Sequence, residues 1–131
     1  MKTDILSRKE IILLIDQFYD TIRKDELLGT IFDDVAKVNW EKHLPVMYDF
    51  WENTLFYTGS YNGNPVQNHR VLHQKYPITK EHFDHWIELF NNTVDALFEG
   101  EKAELAKQRA LSIATVLRIK IAQVYTPEQL L

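Results

Sequence analysis

Two histidines, His69 and His73, stand four residues apart in the stretch HRVLH. That is the outer spacing of the zinc-protease motif H-E-x-x-H, in which a Glu after the first His polarises a metal-bound water. Here that position is Arg70, a cation beside a cation, so the protease reading fails on charge. Two imidazoles at this spacing can still share a metal, but a closed zinc site needs four ligands. His43, His82 and His85 fall on other predicted helices. Carboxylate di-iron chemistry needs E-x-x-H motifs on paired helices. Glu81 to His85 is one residue too long for that motif, and Glu10 to Leu13 lacks the His. Ser60, in TGSYNG, lacks the sharp-turn context of a serine nucleophile, and no Gly-rich phosphate loop precedes a helix.

A metal that brings its own equatorial ligands fits better. Haem iron needs one axial protein ligand, usually a neutral His. It also needs a flat apolar slot lined by aromatics and a polar donor across from the ligand. Three Trp, seven Phe and six Tyr are many for so small a core. They suit a slot for something large and flat, and equally an aromatic-rich helical core. His69, Tyr19 and Trp86 are the candidates.

The totals narrow the classes. At 131 residues the chain suits one domain, read as 1–131, and can bury roughly two-thirds of its unfolded surface. With no cysteine it has no disulfides, thiolate zinc sites or iron–sulfur clusters, which fits the cytoplasm. A net charge of −4 with no concentrated basic face argues against nucleic-acid binding. No apolar run approaches the ~18 residues of a membrane span, and no signal-peptide pattern opens the chain.

Helical periodicity then supplies the positioning elements. Ser7 and Glu10 read as a capping box ahead of a helix over about Lys9 to Lys24, with Ile11, Leu14, Ile15, Phe18, Tyr19 and Ile22 on one face. The stretch DELLGTIFDD reads as a turn, with Gly29 as a helix stop or turn residue. Asn39 is placed to cap a second helix carrying Trp40, Leu44, Met47, Phe50, Trp51 and Leu55, with a kink or restart expected at Pro45. Thr58 to Asn68 reads as a loop, followed by a short helix around Val66 to Gln74. Thr79 caps a third long helix with Phe83, Trp86, Ile87, Phe90 and Val94 on one stripe, stopped by Gly100. The last helix runs over about Glu101 to Gln123. The fold class is all-α.

Four stretches in order carry a resemblance: FYDTIRKDELLGTIF, WEKHLPVMYDFW, YNGNPVQNH and HFDHWIELFNNTVDALFEG. Together, with H-L-x-x-M-x-x-F-W and Y-x-G-x-P-x-x-x-H, they resemble the truncated haemoglobins, specifically their third group. The similarity runs from about Ile11 to Gln123. It implies a two-over-two helical sandwich around a b-type haem (iron protoporphyrin IX). His69 matches the proximal iron ligand, Tyr19 the distal tyrosine that hydrogen-bonds dioxygen, Trp86 the distal tryptophan, and His43 the polar gate. Phe32 matches the phenylalanine wedged against the haem plane. Met47, Phe50, Trp51 and Phe83 join Trp86 as haem-slot residues. Arg70, His73 and Lys75 are candidates to reach the propionates.

The function implied is binding of dioxygen or another diatomic ligand, with nitric oxide or peroxide redox chemistry within reach. A haem-dependent dioxygenase or peroxidase-like activity, and a reductase partner, are compatible with it. The competing reading is a haem-free helical interaction or sensor module whose aromatics form a solid core.

Overall fold

The computed structural model describes residues 2–59, 61, 63 and 65–122. Among the described residues six α-helices follow one another: α1 (Arg8–Lys24), α2 (Glu26–Thr30), α3 (Trp40–Phe56), α4 (Pro65–Lys75), α5 (Lys80–Leu97) and α6 (Glu101–Ala122). A π-helical turn, Ile31–Val35, continues from α2. α1 packs on α3 and α5 on α6, and the two pairs meet through α1–α5 and α3–α6 contacts. This is the two-over-two arrangement that the resemblance implies. α4 lies against α6.

The stripe read from periodicity is the buried face of α1. Ile11, Leu14, Ile15, Phe18, Tyr19 and Ile22 are all buried there. From α5, Phe90 enters between two tryptophans. Its ring stacks on Trp51 at 4.8 Å and on Trp86 at 5.5 Å, and meets Phe18 edge-on at 5.1 Å. Offset and edge-on ring contacts add to the burial of so much apolar area. One side of the bundle is thereby held by a Trp51–Phe90–Trp86 stack linking α3 and α5.

Several local expectations are corrected. Ser7 is the N-cap of α1, but no capping box forms: its hydroxyl donates to the Glu10 carboxylate, which also accepts from the Leu6 N–H at 3.1 Å. Gly29 does not stop a helix. It lies inside α2, where a Cβ would stand 2.7 Å from the Arg23 carbonyl oxygen, so glycine permits close approach of α2 to the end of α1. α3 runs through Pro45 without a restart; Pro45 and Glu41, whose carbonyl loses its usual donor, both sit at exposed positions. Asn39 caps α3 as expected, accepting from the Lys42 N–H. The expected loop ends early, because Pro65 opens α4, a first-turn position that needs no N–H. Ser60, Asn62, Asn64 and Gln123 lie outside the described residues.

The chain before Ser7 also has a role the periodicity did not show. Thr3 pairs with Phe98 through a single bridge, and Glu99 N–H donates to Thr3 O at 3.0 Å. Asp4 then accepts from the Lys102 and Ala103 N–H groups at 2.9 and 2.8 Å, capping α6. Gly100, with φ of 143°, makes room for that carboxylate: a Cβ would stand 2.5 Å from Asp4 Cγ. α5 itself ends at Leu97, before this glycine.

Candidate functional site

His69 lies in the middle of α4, one turn after Pro65. Its Nδ1 is 2.6 Å from the Pro65 carbonyl oxygen. A carbonyl only accepts, so Nδ1 carries the proton and donates. The lone pair of Nε2 is therefore left for another partner. Burial lowers the His69 pKa more than the Pro65 hydrogen bond raises it, which keeps the ring neutral. A neutral imidazole, its tautomer fixed by a backbone acceptor, is the form in which His binds a metal.

A cavity of about 240 Å³ opens beside this ring. Every residue singled out from the sequence for the slot lines it. His69 comes from α4, Tyr19 from α1, Phe32 from the π turn, and His43, Met47, Phe50 and Trp51 from α3; Phe83 and Trp86 come from α5. Residues scattered over 68 positions of sequence, from Tyr19 to Trp86, thus converge on one space.

Two further polar side chains of that space are Tyr19 and His43. Tyr19 is 6% exposed, and among the described residues its hydroxyl makes no hydrogen bond. Burial raises its pKa, so the hydroxyl keeps its proton. His43 stands edge-on to the Tyr19 ring at 5.4 Å. Its Nε2 is buried with no hydrogen-bond partner among the described residues. Burial lowers the His43 pKa, and nearby His69 lowers it further, so both imidazoles are held neutral. A buried polar atom without a partner costs on the order of 1–3 kcal/mol. The cavity thus holds an open imidazole ligand, a tyrosine donor and an unsatisfied imidazole within apolar walls. That donor set fits a flat apolar group bearing a metal centre.

Some of the wall was not assigned to the site from the sequence. Ile113, Ala114 and Leu117 of α6 close one side. Their apolar spacing was visible, but nothing in it separates a cavity wall from solid core. His82, only 7% exposed, also lines the cavity. Its Nδ1 accepts from the Thr79 N–H at 2.8 Å, doing at the start of α5 what a glutamate does in a capping box.

The expected rim residues behave differently. His73 does not line the cavity; its Nδ1 accepts from the Ile78 N–H at 2.9 Å and so ties the end of α4 to the approach of α5. Arg70 reaches the Lys120 carbonyl oxygen at 3.4 Å, on α6. The Lys75 side chain lies outside the described residues. His85 faces outward and pairs with Asp25, Nε2 to Oδ1, at 2.6 Å.

Comparison with known proteins agrees with this geometry. The bacterial-like globin family matches residues 4–122. The group 3 truncated hemoglobin ctb of Campylobacter jejuni is 31% identical over 118 residues, covering 88% of this chain and 91% of that protein. The crystal structure of the group III truncated hemoglobin from Campylobacter jejuni superposes with a TM-score of 0.81 at 28% identity, covering 94% of this chain and 97% of that one.

Proposed function

The chain belongs to the bacterial-like globins, a haem-binding family, as a group III truncated haemoglobin, and from that premise we propose that its cavity holds a b-type haem at which dioxygen or another diatomic gas binds. The whole chain, 1–131, is read as one haem domain. When bound, haem would supply an iron able to bind a gas ligand and the redox chemistry that follows. The observation that carries the reading is His69 with Nδ1 committed to Pro65 O and Nε2 open, in a cavity shared with Tyr19 and His43. His69 is assigned as the one protein ligand to iron. A non-covalent, b-type attachment is supported by the absence of cysteine, since thioether links need it.

Tyr19 would supply a protonated hydroxyl donor in a dry site, where a hydrogen bond to developing negative charge is stronger than in water. His43 adds a neutral imidazole that can donate or accept. Trp86 adds an indole N–H that makes no hydrogen bond among the described residues. Phe32, Met47, Phe50, Trp51 and Phe83 exclude water around them. Several donors favour tight holding of oxygen over its delivery, and suit nitric oxide or peroxide chemistry. Such chemistry calls for an electron donor, for which a reductase is the implied partner class. The cysteine-free composition supports a cytoplasmic setting; among the described residues no helix is long and apolar enough to cross a membrane.

The cavity weighs against the haem-free reading, in which the same aromatics close into a solid core. Titration of the purified protein with hemin tests the proposal. A Soret band that saturates at one haem per chain supports it, and no band at any ratio overturns it.

A further inference from the structure

We propose that Trp40, which does not itself line the cavity, is the residue that positions the distal side chains, and that Asp33 locks it in place. The inference rests on the reading of Tyr19 and His43 as the distal groups. The Trp40 ring lies 5.3 Å from Tyr19, 5.6 Å from His43 and 5.7 Å from Phe32, stacked on the last. No other aromatic ring among the described residues contacts all three of these. Its Nε1–H donates to Asp33 Oδ1 at 2.8 Å. The Arg23 guanidinium carbon lies 5.0 Å from the Trp40 ring, and Arg23 Nε is 3.5 Å from the same Asp33 oxygen.

The backbone explains why these groups meet. Arg23 follows Tyr19 by one turn of α1, so the same helix face carries the distal hydroxyl and the cation behind it. Phe32 and Asp33 are consecutive in the π turn, an irregularity that recurs at functional sites. Ile31 and Phe32 of that turn line the cavity, and the next residue, Asp33, holds the indole. Trp40 is the first residue of α3, one turn before His43. A single planar ring therefore ties together the elements that carry Tyr19, Phe32 and His43.

Of the two contacts to Asp33, the indole hydrogen bond matters more. The Arg23 side chain is 51% exposed, so water screens its pairing with Asp33. The Trp40 N–H has a fixed direction, and its commitment to Asp33 sets the ring rotation that Tyr19 and His43 pack against. Loss of the acceptor frees the ring, and the distal donors lose their fixed bearing on the cavity.

The experiment compares Asp33→Ala, Asp33→Asn, Trp40→Phe and Tyr19→Phe with the wild type as haem proteins. It reads the oxygen dissociation rate and the infrared stretching band of bound carbon monoxide, which reports the local field at the gas site. Asp33→Ala and Trp40→Phe are expected to speed oxygen release by about tenfold, the scale of one misdirected hydrogen bond, and to broaden or split the carbon monoxide band. Asp33→Asn, which keeps an acceptor oxygen and loses the charge, is expected within about twofold of wild type. Because Trp40→Phe keeps an aromatic ring and Asp33→Asn keeps the side-chain shape, they keep the comparison open should Asp33→Ala fail to fold. Wild-type rates and bands in Asp33→Ala and Trp40→Phe, beside altered ones in Tyr19→Phe, overturn the positioning role and leave the pocket reading intact. Wild-type behaviour in all four variants overturns both the positioning role and Tyr19 as the controlling distal donor.

Discussion

The Nδ1–H of His69 donates to the carbonyl of Pro65, four residues earlier on the same helix, at 2.6 Å. One helical turn thereby decides the tautomer of the only α4 histidine in the cavity wall. Pro65 opens that helix and Asn64 precedes it, so the loop–helix junction, not the HRVLH spacing, sets the ring's chemistry. His73, on the same helix, has a different occupation, accepting from the Ile78 N–H.

His73→Ala should therefore keep the haem and lose stability. The Ile78 N–H loses its acceptor, at a cost of about 1 kcal/mol. A Soret band of wild-type height together with a thermal midpoint lowered by a few degrees is the expected pair of results. Loss of the Soret band would give His73 a part in holding the cofactor.

Tyr19→Phe removes the buried hydroxyl and nothing else from the cavity wall. Oxygen dissociation should rise by roughly 10- to 150-fold, the range of about 1.5–3 kcal/mol for a hydrogen bond to a charged group. Stopped-flow displacement of oxygen by carbon monoxide measures it. An unchanged rate would leave Trp86 or His43 as the donor in control.

The pair formed by His85 and Asp25 makes stability depend on pH. The hydrogen bond to Asp25 raises the His85 pKa above its ordinary 6.5, with burial opposing it. For Asp25, burial pushes upward, but the hydrogen bonds from His85 and from the Leu28 and Leu27 N–H groups bring it below its ordinary 3.8. The stability contributed by His85 is thus full below its unfolded pKa and is lost as pH rises through the raised folded value. That of Asp25 is full above 3.8 and is lost as pH falls through its lowered value. His85→Gln should melt a few degrees below wild type near about pH 5.5, and the two should converge as pH rises through the raised folded value. A difference that grows with pH would contradict the pairing.

Gly29→Ala runs against helix propensity. Inside a helix, alanine normally stabilises relative to glycine by about 1 kcal/mol. Here the added Cβ would meet the Arg23 carbonyl oxygen at 2.7 Å, a backbone atom that cannot swing aside. The substitution should instead destabilise by about 1–3 kcal/mol in denaturant unfolding. A more stable variant would show that α2 can shift away from α1 freely.

Much of this arrangement was legible in the sequence, and the reasons differ by element. The α1 stripe from Ile11 to Ile22 and the α5 stripe through Phe83, Trp86 and Phe90 are amphipathic, and periodicity finds such faces. Asn39 could be read as a cap because its side chain has few other uses before a helical run. His69, Tyr19 and Trp86 drew attention by residue type, and only the ordered resemblance linked them. The π turn was hidden because its residues, IFDDV, carry no period of their own. Gly29 reads as a stop in sequence and acts as a contact in space, which depends on where α1 ends. Asp4 caps a helix that begins nearly a hundred residues later, and no local pattern reports that. The Asp33–Trp40 bond is short in sequence, yet it depends on the π turn that periodicity does not reveal.

The most direct measurement compares His69→Gly with the wild type by absorption in the ferric, ferrous and carbon monoxide forms, with and without added imidazole. With His69 as the iron ligand, the variant should hold haem weakly or with altered bands, and free imidazole should restore the wild-type ferrous spectrum. A His69→Gly protein that binds haem and shows wild-type spectra without imidazole would contradict the assignment.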